Sequence, residues 1–167
     1  MIRHVDANRR RGRLYGTYTR AVASRPGMWF TRTFVWRLDP ILMRLTGGTI
    51  GMAPMIPTAL LETTGTRSGR MRRNVVIYFH DGDDPIVVAS KVGDPQHPAW
   101  FHNARAHPDV RLGGEDRTAV VVADDGERER LYGLAENVFP PFAGYQRRAG
   151  AAGRTIPVLR LTSRVGP

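Results

Sequence analysis

The stretch ALLETTGTRSGRMRRNVVIYFHDGDDPIVVAS, residues 59–90, decides the fold class of this chain. It contains three runs rich in β-branched and aromatic residues, which predict β-strands. The three runs are residues 59–64, 73–80 and 85–90. Short turns with glycine, at 65–69 and 81–84, separate the runs, so we expect consecutive strands to pair as antiparallel hairpins.

The chain after residue 90 alternates further short strands with helices. We predict helices at 99–106, from Asp124 or Asp125 to Val138, and a helical turn at 142–148, with strands at 110–112, 118–123 and 155–161. There are too few strand–helix–strand units for a parallel doubly wound sheet. The prediction is therefore an α+β fold: a small split β-barrel of about six mainly antiparallel strands, with an N-terminal helical segment and inserted helices.

The N-terminal part of the chain differs in composition from the rest. Apolar residues recur at roughly helical spacing between residues 13 and 45, among many arginines. We therefore expect a helical extension at 1–46 and a barrel domain at 47–167. The aromatic and apolar side chains of the extension are Trp29, Phe30, Phe34, Trp36 and Leu38. Two interpretations stay open: a helix that docks on an anionic membrane surface, and a helix that only caps the barrel.

The chain of 167 residues has a formal net charge of +10, and Lys91 is its only lysine. Such a charge favours anionic partners: nucleic acid, acidic lipid head groups or a polyanionic cofactor. Helix-turn-helix, zinc and aromatic RNA-binding motifs are absent from the sequence, so nucleic acid is not the predicted partner.

The chain contains no cysteine, which excludes disulfides, thiolate metal sites and cysteine nucleophiles. No apolar run reaches the ~20 residues of a membrane-spanning helix. The basic cluster at 9–13 is not followed by the apolar run of a secretory signal. We therefore predict a cytoplasmic location, with peripheral association at the inner face of the cell membrane left open.

The segment TTGTRSGRMRRN, residues 63–74, is the strongest local signal of a binding site. It places four arginines, two glycines and several hydroxyl groups in one strand–turn–strand unit. Glycine allows backbone N–H groups to face an anion, and guanidinium groups bind phosphate and carboxylate in a bidentate manner. A solvated basic hairpin tip is the alternative that the charge alone leaves open.

A second signal, SKVGDPQHPAWFHN at residues 90–103, begins where a strand ends and continues into a helix. Ser90 and Lys91 emerge at the strand end, where ligand contacts are common. Trp100 opens the helix and offers a ring that can cover an aromatic ligand. The three nearby histidines are five residues apart, a spacing that spreads them around a helix, so no metal site is predicted.

The succession LLETTGTRSGRMR, then DGDDPIVVASKVGDPQHPAWFHN, then GRTIPVLRL resembles the deazaflavin-dependent nitroreductase family. The resemblance extends from about residue 34 to residue 161. It implies a split β-barrel that uses reduced coenzyme F-420, a deazaflavin with an acidic tail. It also implies the coenzyme contacts, which are Arg67, Ser68, Gly69, Arg72, Asn74, Ser90, Lys91, Gly93, His97, Trp100 and Asn103.

Phe139, Phe142 and Tyr145 stand where the family has aromatic residues that border the substrate pocket, and Tyr145 is our candidate catalytic proton donor. Thr66 stands where a basic residue is common, and Val75 where proline is common, so the match is not complete. The implied function is hydride transfer to a small-molecule acceptor: a quinone, a nitroaromatic or another unsaturated compound. An FMN-binding split-barrel reductase and a non-catalytic coenzyme-binding protein remain alternatives, and the sequence leaves monomer and dimer open.

Overall fold

The computed structural model describes residues 2–9, 11–24 and 55–164. Within these residues the chain forms six β-strands and four α-helices. In chain order they are α1 (Arg13–Ala23), β1 (Thr58–Thr64), β2 (Met71–Asp81), β3 (Asp84–Val88), α2 (Ala99–Ala106), β4 (Asp109–Leu112), β5 (Glu115–Val121), α3 (Asp125–Val138), α4 (Phe142–Ala151) and β6 (Val158–Ser163). A 3-10 turn, Lys91–Gly93, lies between β3 and α2.

The six strands close into a barrel in the order β1-β2-β3-β6-β5-β4, and each neighbouring pair is antiparallel. Tight turns join β1 to β2, β2 to β3 and β4 to β5, as the glycine-containing turns predict. Closure depends on strands that are distant in the chain: Leu61 of β1 lies opposite Leu112 of β4, and Val87 of β3 opposite Leu159 of β6. The predicted α+β class and six-stranded antiparallel barrel are confirmed.

The alternation of side chains along the strands fills the barrel interior. In β1 the residues Ala59, Leu61 and Thr63 are buried, while their neighbours are only half-buried. Leu112 and Leu161, from strands on other sides of the barrel, are fully buried as well. Removal of this apolar surface from water supplies the main driving force for closing the barrel.

The helices begin and end close to their predicted bounds. Helix α2 spans the predicted residues, and Asp124 caps α3 by accepting a hydrogen bond at 2.7 Å from the Glu127 N–H. Several strand boundaries were predicted wrongly. β2 begins at Met71, β5 spans Glu115–Val121, β3 ends at Val88 and β6 begins only at Val158. At the last two, Ala89 donates to the Pro157 carbonyl, but Pro157 has no N–H with which to continue the ladder.

Residues 2–9 pack on the outside of the barrel, which the sequence did not predict. The N–H of His80 donates to the Val5 carbonyl at 2.8 Å, and the Val5 N–H donates to Nδ1 of His80 at 3.1 Å. Helix α1 follows, and its Tyr15 hydroxyl donates to the Val138 carbonyl at 2.6 Å. These contacts attach the start of the chain to β2 and to the end of α3.

The described residues cover the predicted N-terminal extension only in part. Its remainder, including the five apolar side chains between Trp29 and Leu38 and the proposed boundary at 46/47, lies outside them. Among the described residues, no helix is long and apolar enough to cross a membrane.

Candidate coenzyme cleft

An open cleft of about 790 Å³ lies between the turn that joins β1 to β2 and the first residues of α2. Predicted coenzyme contacts that line it are Arg67, Ser68, Arg72, Asn74, Trp100 and Asn103. Residues not predicted as contacts also line it, namely Gly65, Thr66, Met71, Arg73, Ala99 and His102. The two sequence segments with the strongest binding signals thus face each other across one cleft.

The turn between β1 and β2 is a closed backbone loop. The Gly65 N–H donates to the Arg70 carbonyl, and the Gly69 N–H donates to the Gly65 carbonyl, both at 2.9 Å. Gly69 has a positive φ of 63°, which favours glycine, and a Cβ at Gly65 would lie 3.1 Å from the Arg70 oxygen. The glycines therefore allow the turn to fold tightly while the side chains between them remain exposed.

Asn103 connects this turn to helix α2. Its side chain is buried, and Nδ2 donates to the Thr63 hydroxyl at 3.2 Å. Oδ1 accepts from the Thr66 N–H at 3.2 Å and from the Thr66 hydroxyl at 3.4 Å. Both ends of the amide are therefore used to hold the two walls of the cleft in a fixed relation.

Three cations of the turn have no internal counter-charge. Among the described residues, no carboxylate lies within salt-bridge distance of Arg67, Arg70 or Arg72. Arg72 lies 3.4 Å from the Ser68 hydroxyl. Arg73, one residue further along β2, is different: its Nε donates to Glu62 at 2.6 Å. Arg73 is thus neutralised, whereas Arg67, Arg70 and its strand neighbour Arg72 remain available to an anion.

The second predicted segment forms a strained turn beside the barrel. Lys91, Val92 and Gly93 have successive positive φ values of 47°, 60° and 79°. Such values are unusual for Lys91 and especially for the β-branched Val92. The Lys91 ammonium lies 3.2 Å from the Asp94 carboxylate. Ser90, Lys91, Gly93 and His97, four predicted coenzyme contacts, belong to this segment and not to the lining of the cleft.

Arg154, which the sequence did not single out, holds this segment in place. Its side chain donates to the carbonyls of Ala89, Ser90 and Asp94 and to Nδ1 of His97, the last at 2.9 Å. Burial, then the positive charge of Arg154, lowers the pKa of His97, so the ring remains neutral at pH 7. A buried arginine carries no distinctive sequence signal in a chain with so many arginines.

The predicted pocket aromatics are packed together. Phe139, Phe142 and Tyr145 are all buried, and the ring centroids of Phe139 and Phe142 lie 5.3 Å apart. The ring of Tyr145 meets Phe142 edge-on at 5.9 Å. Burial raises the pKa of Tyr145 above the ordinary tyrosine value, which makes its hydroxyl a weaker acid. The structure thus brings the three residues together in one cluster away from the cleft lining.

The donor set of the cleft suits an anionic ligand with an aromatic ring. Two guanidinium groups that have no carboxylate partner among the described residues, those of Arg67 and Arg72, and the Ser68 hydroxyl match phosphate and carboxylate oxygens. Trp100 adds an apolar, aromatic wall. In the described part of the chain, no group of three or more histidine or carboxylate side chains is arranged to hold a metal ion.

Residues 31–163 match the family model described as F420H(2)-dependent quinone reductase. Among curated proteins, an F420H(2)-dependent quinone reductase of Mycobacterium tuberculosis is 39% identical over 138 residues, which cover 77% of this chain and 89% of that protein.

Two solved structures have a similar fold. One is an F420-H2 dependent reductase with a TM-score of 0.55 and 37% identity, covering 63% of this chain and 93% of its own. The other, described as a domain-swapped dimer, has a TM-score of 0.58 and 33% identity, covering 75% of this chain and 96% of its own.

Proposed function

The chain belongs to the F420H(2)-dependent quinone reductase family, and we propose that it transfers a hydride from reduced coenzyme F-420 to a quinone. The observation that carries the proposal is the cleft at the β1–β2 turn, whose lining residues Arg67 and Arg72 have no carboxylate partner among the described residues. A coenzyme with a phosphate and an acidic tail supplies the missing negative charge.

The residues of the cleft have separate tasks in this proposal. Arg67, Ser68 and Arg72 bind the anionic oxygens of the tail, and Trp100 borders the ring. Asn103 keeps the turn and α2 at the distance that both ends of the ligand require. The bound coenzyme supplies the hydride, so the chain itself needs only to bind and orient the two reactants.

A proton must also reach the reduced quinone, and we propose Tyr145 as its donor. A tyrosine hydroxyl is protonated at neutral pH and can donate, although burial raises the pKa of Tyr145 and so makes it a weaker acid. The Arg148 guanidinium lies 5.0 Å from the centre of its ring. Water is the alternative donor. If Tyr145→Phe turns over quinone at the unaltered rate while folding normally, water supplies the proton.

Titration of the purified protein with coenzyme F-420 and, separately, with FMN tests the choice of coenzyme. We expect tighter binding of F-420, because its longer acidic tail reaches more of the unpaired arginines, and we expect this binding to weaken as salt is added. Equal or tighter binding of FMN contradicts the proposal and favours an FMN reductase on the same barrel.

The contribution of the turn is tested with an Arg67→Ala, Arg72→Ala double variant. Each lost charge-assisted contact is expected to weaken coenzyme binding by about 1–3 kcal/mol. The matched control is Arg111→Ala, Arg164→Ala, which removes the same charge at two arginines paired with Asp116 and Asp109. Equal losses in both double variants mean that only net charge matters and that the turn is not the binding site.

Catalysis is distinguished from coenzyme storage by turnover. The protein loaded with reduced coenzyme F-420 is mixed with a quinone, and the reappearance of oxidised coenzyme is followed. We expect oxidation that saturates with quinone concentration. Binding without oxidation by any quinone or nitroaromatic compound indicates a non-catalytic coenzyme-binding protein.

For the location of the chain we propose the cytoplasm, with peripheral contact of the segment around 29–38 with an anionic membrane. The apolar and basic composition of this segment supports the proposal, and a lipid-soluble quinone would give the contact a purpose. Co-sedimentation with anionic vesicles at low salt is the test. Sedimentation lost by a variant with Trp29, Phe30 and Phe34 changed to serine supports the membrane contact, and equal sedimentation of both proteins contradicts it.

The oligomeric state is a separate question. Light scattering of the purified protein without vesicles decides between monomer and dimer.

A further inference from the structure

Arg154 is a charged residue whose side chain is buried in the fold. It is only 7% exposed. It follows α4, where Gly153 has a positive φ of 69° and donates to the Gly150 carbonyl at 2.9 Å, while the Arg154 N–H donates to the Ala149 carbonyl at 2.9 Å. These two bonds form a Schellman motif, which reverses the chain and directs Arg154 back under the helix.

The partners of the Arg154 guanidinium are neutral. They are three backbone carbonyls of residues 89–94 and the imidazole of His97. Among the described residues, no carboxylate lies within salt-bridge distance of it. The five N–H donors of arginine have a fixed, diverging geometry, so one side chain can hold several carbonyls of a loop at once. Burial without an ion-pair contact is costly, and the hydrogen bonds, together with the charge of the nearby Asp94, offset part of that cost.

The loop that Arg154 holds is strained and tightly packed. Lys91 and Val92 have positive φ values, a conformation that persists only where the surroundings enforce it. On its other side the loop contacts α4, since a Cβ at Gly93 would come within 2.7 Å of the Tyr145 carbonyl. Arg154 therefore enforces a backbone conformation that the sequence of the loop does not itself favour.

This loop leads directly into the cleft. Pro98 N-caps α2, and the next residues, Ala99 and Trp100, line the cleft opposite the arginines. His97, which accepts the Arg154 Nε–H, contacts the Phe101 ring at 5.0 Å and the His102 ring at 5.8 Å between centroids. A displacement of residues 90–97 therefore moves the start of α2 and one wall of the cleft.

We propose that Arg154 is a positioning residue for the coenzyme: it fixes residues 89–97, and through them the start of α2, in the geometry that receives the deazaflavin. The proposal rests on the proposed function, because it assigns this geometry to coenzyme F-420. Arg154 does not line the cleft and acts through the loop. Since Nδ1 of His97 accepts from Arg154, the same contact fixes the neutral ring with its hydrogen on Nε2.

The test compares Arg154→Met with Arg160→Met. Arg160 is a half-buried arginine of β6 whose contacts go to Asp81, Asp84 and Glu127, away from the loop, so its removal destabilises the fold without touching residues 89–97. At a temperature where circular dichroism shows both variants folded, we expect Arg154→Met to raise the Kd of coenzyme F-420 about 10- to 100-fold. Arg160→Met is expected to bind as the unaltered protein does.

Arg154→Lys provides the second variant, because it keeps the charge and the length of the stem but not the planar fork. We expect it to bind the coenzyme several-fold more weakly than the unaltered protein, and it decides the question if Arg154→Met does not fold. Coenzyme binding that is unaltered in the Arg154 variants overturns the proposal. So does a loss of binding that Arg160→Met shows to the same degree.

A readout without coenzyme separates this proposal from the proposed function. The N–H groups of Gly93 and Asp94 donate within the loop at 3.0 Å, and their hydrogen exchange can be followed by NMR. We expect faster exchange in both Arg154 variants and not in Arg160→Met. Unaltered exchange in the Arg154 variants contradicts the idea that Arg154 fixes residues 89–97. Failure of the unaltered protein to bind coenzyme F-420 contradicts the proposed function instead.

Discussion

Asn103 shows how much of the cleft depends on a single buried amide. It bonds to Thr63 at the end of β1 and to Thr66 in the turn, so its truncation leaves the Thr63 hydroxyl and the Thr66 N–H without this partner. We predict that Asn103→Ala lowers the free energy of unfolding by about 1–3 kcal/mol and also weakens coenzyme binding. Thermal unfolding measures the first effect and ligand titration the second.

The matched control for Asn103 is Asn137→Ala, the same substitution at an exposed position near the end of α3. It is expected to change stability by less than about 0.5 kcal/mol. If the two variants unfold alike, the amide of Asn103 does not hold the cleft together.

The packing of the N-terminal segment on His80 predicts a dependence of stability on pH. Burial, then the nearby His4 and Arg117, lowers the pKa of His80 below its ordinary value near 6.5. The unfolded chain therefore binds the proton more readily than the folded chain. The contribution of the neutral His80 ring to the free energy of unfolding is therefore intact above about pH 6.5, and it is lost as the pH falls through the lowered pKa.

Denaturant unfolding across this range checks the prediction for His80. The loss of stability as the pH falls below about 6.5 should become smaller in His80→Gln, which cannot titrate. The pKa of His97 is lowered too, by burial and by Arg154, so His97→Gln is the companion variant. An unaltered pH dependence in both variants would contradict the assignment to these two rings.

The roles of some single residues could be inferred from the sequence, and the roles of others could not. Along β2, alternation places Arg72 and Arg73 on opposite faces, a local property of a strand that the sequence alone provides. Arg154 and His102 were not predicted. Their importance depends on which segments lie against them, and no pattern within the sequence reveals that.

At the scale of elements, the contact between the 90–97 loop and α4 depends on Gly93. Alanine there would combine a φ of 79° with a Cβ only 2.7 Å from the Tyr145 carbonyl. We predict that Gly93→Ala destabilises the fold by about 1–3 kcal/mol and impairs coenzyme binding. Thermal unfolding and coenzyme titration are the measurements.

Gly150, in helix α4, offers the opposite expectation for the same substitution. A Cβ there would meet nothing within 4 Å, and alanine is the better helix former, so Gly150→Ala is expected to stabilise by up to about 1 kcal/mol. If Gly93→Ala unfolds no earlier than Gly150→Ala, the loop is free to move away from α4.

The elements themselves and the pairing within hairpins were largely predictable, but the pairing of strands far apart in the chain was not. Glycine-containing turns and the Asp124 cap are local signals, so hairpins and helix starts followed from the sequence. The pairs β1–β4 and β3–β6 join strands far apart in the chain and could be expected only through the family resemblance. Residues 2–9 have no periodic pattern, so their packing on β2 was missed.

For the whole molecule, a network of ion pairs ties β2, α3 and β6 together outside the barrel. Asp81 accepts from Arg160 at 2.7 Å and from Arg130 at 2.8 Å, and Glu127 contacts both arginines. Hydrogen bonds, first from Arg130, hold the pKa of Asp81 below its usual range. Asp81 therefore stabilises the fold above its ordinary pKa, and this stability is lost as the pH falls through the lowered value.

We predict that Arg160→Met lowers the unfolding temperature by a few degrees, corresponding to about 1 kcal/mol, since the network is only half-buried. The difference from the unaltered protein should shrink at high salt. A loss that is independent of salt and of pH in the acid range would mean that Arg160 acts through its packing and not through its charge.

The order of the strands has a consequence for how the protein is made. β6 is the last strand of the described chain, yet it lies between β3 and β5. While a ribosome is still synthesising residues 158–163, both of those neighbours therefore present unpaired edges, which are prone to join other chains. Barrel closure must wait until β6 has been synthesised, and then requires contacts between distant residues, which fold in about milliseconds to seconds. We expect fragments that stop before residue 158 to aggregate on release, and the yield of native protein in a cell to depend on how well chaperones shield the incomplete sheet.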